Sequence, residues 1–175
     1  AFREQDRLVM GICNGFQILL VTGLFFEAHA ADARPASLAA NASGKFEDRW
    51  VLLTTSSPKC VFTRGIERMY LPVAHAEGRF VVRDPGTLDA LAKREQIAVA
   101  YASTNGSDEV RYPDDPNGST GHVAGICDAT GRVFGLMPHP ERYVDRTQHP
   151  RWTRSDLPDE GDGLRCFQNA VSYFG

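Results

Sequence analysis

The chain has 175 residues, 42% of them hydrophobic and 23% charged, with a formal net charge of −3. That length supports one domain with a substantial core. Scattered Lys and Arg on a slightly acidic chain exclude a nucleic-acid footprint and an anionic-membrane anchor, and no apolar run is long enough to span a bilayer.

In chain order, residues 2–7 (FREQDR) read as the tail of a helix, and residues 8–12 (LVMGI) as a short buried strand. A helix is expected from Asn14 to about Val21, ended by Gly23. The Ala-, Asp- and Ser-rich stretch 27–49 reads as a long surface loop. Residues 50–55 (WVLLTT), 68–73 (RMYLPV) and 79–84 (RFVVRD) are expected strands bounded by turn residues. Residues 87–96 have helical spacing, with Leu88, Leu91 and Ala92 on one face. IAVAYA (97–102) is a further strand, and 103–121 is a loop whose segment 112–119 (YPDDPNGS) is too polar to be buried. HVAGICD (122–128) and VFGLMP (133–138) flank a turn as a hairpin or as neighbouring strands. Residues 163–174 are expected to form an amphipathic helix with Phe167, Val171 and Phe174 as its core stripe. The mixture favours one α/β domain over 1–175.

Cys13, Cys60, Cys127 and Cys166 lie far apart with no C-x-x-C pair, so neither a disulfide framework nor a zinc or other metal site is expected. A reduced, cytoplasmic compartment fits this usage. Cys60, Cys127 and Cys166 have apolar neighbours and read as core residues.

Cys13 differs. Gly11-Ile12-Cys13-Asn14-Gly15 has the form of a strand-to-helix nucleophile turn, with glycines removing side chains that would clash there. The following helix presents its N-terminus to the sulfur, which favours thiolate over thiol. The Asn14 N–H would face the oxyanion formed when Cys13 attacks a carbonyl. A thiol nucleophile also needs a base. His29 and His149 lie in polar stretches and are expected to be solvated, and His122 opens a strand. His75 lies close to Glu77. His139 follows an apolar strand, is locked between Pro138 and Pro140, and has Glu141 two residues on to orient its second nitrogen.

GICNGFQIL together with MPHPER resembles the class I glutamine amidotransferases, whose triad is Cys, His, Glu. LPVAHAEGRF, YPDDPNGSTGHVAGICDATGRVFGLMPHPER and DGLRCFQNAVSYF narrow the resemblance to the glutaminase subunits of phosphoribosylformylglycinamidine synthase. The resemblance implies a flavodoxin-like α/β fold with a mostly parallel sheet flanked by helices. It implies Cys13 as nucleophile on L-glutamine, His139 as proton shuttle, Glu141 as its orienting partner and Asn14 as oxyanion donor. It places Gln17 beside the substrate and the segment around His75 and Glu77 along the pocket. It further implies no cofactor in this chain, with ATP and Mg²⁺ used by a large synthetase partner and a small accessory subunit completing the assembly. Family members carry upstream strands and a glycine-rich loop that supplies a second oxyanion donor, so an N-terminally truncated domain of low activity is expected here. The rival readings are a non-catalytic scaffold for the synthetase and another cysteine hydrolase of α/β fold.

Overall fold

The computed structural model describes residues 5–26 and 34–175. Val9–Ile12 (β1) runs directly into the helix Asn14–Val21 (α1). Gly11 permits this: a Cβ there would lie 2.5 Å from Leu19 Cδ1 and 2.6 Å from the Gly15 carbonyl oxygen, pushing α1 off the strand. Ala36–Ala39 (β2) pairs antiparallel with Arg79–Val82 (β5) as a small separate sheet. Glu47–Thr55 (β3) and Arg68–His75 (β4) form a long antiparallel ladder from Glu47↔His75 to Thr54↔Arg68. Pro85–Lys93 (α2) is started by Asp84, whose carboxylate accepts the Thr87 N–H at 3.1 Å. Pro85 then occupies a position where its missing N–H is harmless. Ile97–Ala102 (β6), Val123–Cys127 (β7) and Val133–Leu136 (β8) complete the main sheet, and Leu164–Ser172 (α3) is the last helix.

The main sheet has the order β1-β8-β7-β6-β3-β4. The α/β class stands, but the expected mostly parallel pairing is corrected: among the described strands the sheet is mixed. Only β1 and β8 run parallel, from Val9↔Val133 to Ile12↔Leu136, and every other pairing in that sheet is antiparallel. Connection length decides it. Residues 128–132 join β7 to β8, and so short a link makes a hairpin rather than the crossover of a dozen or more residues that a parallel pair needs.

The sheet also curls. β4 is the edge strand opposite β1, yet its Pro72 carbonyl accepts the backbone N–H of His139, just beyond β8, at 2.8 Å. Both edges of the sheet therefore meet near the ends of β1 and β8. Apolar side chains pack on its two faces, Phe16, Leu20, Phe80 and Ile126 in one cluster and Leu53, Leu71, Phe134 and Leu136 in the other. Each such buried side chain stabilises the fold by roughly 1.5–3 kcal/mol.

Several local expectations change. Residues 2–4 and 27–33 lie outside the described residues, and Gln5 and Asp6 form a turn rather than a helix end. The rest of the expected loop 27–49 contains β2 and the start of β3. In α3 the buried residue is Cys166, with Ala170 and Tyr173 packed beside it, whereas Val171 and Phe174 are exposed. The true stripe is offset by one residue, which on a helix turns the face by about 100°. Asp115, Asn117 and Ser119, in the polar segment 112–119, are buried because they satisfy one another and nearby backbone groups. Cys60, Cys127 and Cys166 are fully buried.

Candidate active site

Cys13 is the first residue beyond β1, with φ 52° and ψ −107°. A non-glycine residue there carries strain of about 1–3 kcal/mol. Both flanks hold it in place: its N–H donates to the Leu136 carbonyl at 2.9 Å, and its own carbonyl accepts the N–H groups of Phe16 and Gln17. The N–H of Asn14, which opens α1, bonds to no described residue. Gly15 differs from expectation, since a Cβ there would meet nothing within 4 Å. Of the two glycines framing Cys13, Gly11 alone is required by crowding.

The parallel register supplies the partner. Ile12 pairs with Leu136, so Cys13, one residue past β1, and His139, three past β8, emerge at the same end of the sheet. Pro140 starts a 3₁₀ turn over Pro140–Arg142 that carries Glu141 back to the ring, where its Oε1 lies 2.6 Å from His139 Nδ1. With Nδ1 committed, Nε2 is left for Cys13. It is buried and meets no partner at normal hydrogen-bond geometry, yet the Cys13 side chain is near enough to bias its proton. Such contacts in unliganded sites are commonly loose. Cys13 and His139 line one cavity of about 480 Å³, within the range of small-molecule sites.

The charges divide between two imidazoles. Burial alone would lower the His139 pKa, but interaction with Cys13 and the Glu141 carboxylate outweighs it and raises the value to about 9. Burial likewise works against the Glu141 charge, but the hydrogen bond with His139 prevails and holds its carboxyl below the usual range. His75, at the end of β4, goes the other way: burial and then the nearby His139 charge lower it to about 4. It is neutral where His139 is charged.

Stability is therefore expected to peak near pH 6.5, the ordinary histidine value. Between about 4 and 6.5 the unfolded His75 binds more protons than the folded one, so stability rises with pH. Between 6.5 and about 9 the folded His139 binds more, so stability falls. Each limb is worth on the order of 1–3 kcal/mol. Urea unfolding across this range measures it. His75→Gln should flatten the acid limb and His139→Gln the alkaline limb, and an alkaline limb surviving in the second variant would contradict the assignment.

The remaining expected residues reach the same cavity. Asn14, Gln17, His75 and Glu77 all line it. Gln17 Nε2 donates to the Glu77 carbonyl at 2.9 Å, tying α1 to the turn after β4. His75 is buried and bonds through Nδ1 to Asn41 Oδ1 at 3.1 Å, so it forms no surface pair with Glu77. Gly78 covers the ring: a Cβ there would lie 2.4 Å from His75 Cε1. Arg142 and the exposed Phe46 complete the rim; Arg142 ends the MPHPER run but the resemblance implies no role for it, and nothing local marks Phe46.

The other histidines are elsewhere. His29 lies outside the described residues. His122 pairs with Asp115 at 2.8 Å. His149 is not solvated but buried against Trp50, Tyr70 and Tyr143, with ring centroids 4.8, 6.0 and 5.5 Å away.

A model of the CobB/CobQ-like glutamine amidotransferase domain matches residues 1–174. The chain belongs to this glutamine amidotransferase family. Among curated relatives, it is 44% identical to phosphoribosylformylglycinamidine synthase subunit PurQ of Dehalococcoides mccartyi, over 98% of this chain and 66% of that protein. It is 38% identical to PurQ of Methanococcus maripaludis, over 99% of this chain and 68% of that protein. The amidotransferase chain thus spans about two thirds of the length of these relatives. Its fold matches a chain of the PurLQS structure from Thermotoga maritima with a TM-score of 0.70 and 31% identity, over 99% of this chain and 65% of that one. Among the described residues, no helix of this family member is long and apolar enough to cross a membrane.

Proposed function

We infer that this chain is the glutaminase component of phosphoribosylformylglycinamidine synthase, hydrolysing L-glutamine to glutamate and ammonia. One observation carries the reading: a strained cysteine and a carboxylate-backed histidine leave adjacent parallel strands and line one cavity. Its support beyond the site is the likeness to PurQ over nearly the whole chain.

In this reading the Cys13 proton has already passed to His139 Nε2, in keeping with an imidazole pKa raised to about 9, when the sulfur attacks the γ-carboxamide carbon. The Asn14 N–H, unpaired at the start of α1, stabilises the oxyanion. Collapse breaks the C–N bond, His139 returns the proton to the departing ammonia, and a γ-glutamyl thioester remains on Cys13. Water then attacks, His139 takes its proton and returns it to the sulfur, and glutamate leaves. Glu141 holds Nδ1 throughout. Ammonia passes to a large synthetase subunit, which uses ATP and Mg²⁺, in an assembly completed by a small accessory subunit in the cytoplasm.

The test is to supply L-glutamine, formylglycinamide ribonucleotide, ATP and Mg²⁺ to the protein together with its synthetase and small accessory subunits. Glutamate and formylglycinamidine ribonucleotide are expected in equal amounts. Synthesis that runs on free ammonia but never on glutamine would overturn the reading in favour of a docking scaffold.

A further inference from the structure

Asn41 is a buried residue in the loop after β2, and its side chain is fully engaged. Its Nδ2 donates to the carbonyls of Lys45 and His75, each at 2.8 Å. Its Oδ1 accepts the Gly78 N–H at 3.1 Å and faces His75 Nδ1 at 3.1 Å. Its own backbone N–H donates to the Ala76 carbonyl at 2.8 Å. The amide cannot be flipped, because its NH₂ is fixed by two groups that only accept. Oδ1 must then receive a proton from His75, so Nδ1 carries the hydrogen. In the neutral ring Nε2 is left with a lone pair.

That lone pair has no partner. His75 Nε2 is buried without a hydrogen bond in a residue that lines the Cys13 cavity, and a buried acceptor left unpaired costs about 1–3 kcal/mol. Glu47, its cross-strand neighbour, and His139 are the charged groups acting on the ring. Among the described residues no donor reaches Nε2 at hydrogen-bond distance. The missing donor has to come from what enters the cavity.

We propose that Asn41 is a positioning residue that fixes His75 as an acceptor-only imidazole, so that the cavity receives its substrate through an ammonium or amide N–H donor. The identity of that substrate as an amino-acid amide rests on the glutaminase reading; the tautomer does not. Any residue larger than glycine at position 78 would displace the ring, so Gly78 and Asn41 together set one orientation.

The experiment is nitrogen-15 NMR of histidine-labelled full chain at pH 7. His75 is expected to show a protonated Nδ1 and a bare Nε2, and saturating L-glutamine should shift Nε2 toward the hydrogen-bonded range. If glutamate produces the same shift, the α-ammonium is the donor; if only glutamine does, it is the carboxamide. Asn41→Asp places a carboxylate against Nδ1, so the ring should become doubly protonated, turning Nε2 into a donor. KM for glutamine should then rise about tenfold, with a smaller change in kcat. A protonated Nε2 in the unsubstituted protein overturns the proposal, whether or not the variant folds. So does an Nε2 resonance unmoved by glutamine in a protein that turns glutamine over. A chain that hydrolyses no glutamine defeats the glutaminase reading, while the spectrum still decides the role of Asn41.

Discussion

Replacing Cys13 by alanine is expected to reduce glutamine hydrolysis by at least about 10⁴-fold, because it removes the atom that carries the acyl intermediate. Folding should not suffer. The backbone at position 13 is strained in either case, and the Leu136, Phe16 and Gln17 hydrogen bonds that hold it all use main-chain atoms. Alanine also keeps the Cβ that the turn already accommodates. Cys13→Ser is the sharper variant: it preserves shape but replaces a readily ionised thiol by a hydroxyl that His139 activates poorly. A serine variant that still releases ammonia at near-unsubstituted rates would contradict the thioester route. Ammonia-dependent synthesis by the assembled partner should survive both changes, which separates lost chemistry from lost docking.

Glu141→Gln is the second. Glu141 accepts from His139 Nδ1 at 2.6 Å and keeps Nε2 turned to the sulfur. Glutamine would offer an amide at the same place, equally able to present its NH₂, and so would release the ring to adopt the opposite tautomer. General-base participation is typically worth 10²–10⁴-fold, and the loss here is expected at about 10²-fold. Exposure sets that lower figure: the Glu141 side chain is 42% accessible, so water can take over part of its role, whereas the His139 side chain is only 9% accessible. His139→Asn, which removes the base itself, should approach 10⁴-fold. The alkaline fall in stability should shrink in Glu141→Gln too, since the carboxylate is one of the causes of the raised histidine pKa. A Glu141→Gln enzyme with an unchanged pH–rate profile would show that the carboxylate does not orient the base.

The parts of this site that were legible are those whose geometry is local. An apolar run ending in a glycine-framed cysteine and followed by a helix specifies the turn at Cys13, because strand, turn and helix lie within a dozen residues. The Pro138-His139-Pro140-Glu141 run fixes its own backbone, so the ring and its carboxylate meet with little help from elsewhere. What was not legible depends on contacts between distant segments. His75, placed along the pocket by the resemblance and by nothing in its own sequence neighbours, reaches the cavity because the sheet curls and brings its two edges together, and curl is a property of six strands at once. Its partner Asn41 lies 34 residues earlier in a loop. The aromatic surroundings of His149 are assembled from β3, β4 and the segment after β8, so its polar sequence neighbours gave a misleading picture of its exposure. In α3 apolar residues stand both at 166, 170 and 173 and at 167, 171 and 174, two stripes one residue apart, and packing chose the less aromatic one.

Treatment with a chloroketone analogue of glutamine, followed by peptide mass spectrometry, reads the assembled cavity in a single step. Alkylation is expected on Cys13 alone of the four cysteines, to be blocked by L-glutamine, and to slow at least about 10²-fold in His139→Asn, the lower end of what a working base contributes. Labelling of Cys13 at the same rate with and without the imidazole, or no protection by glutamine, would mean that sulfur and ring do not act together on an amino-acid amide.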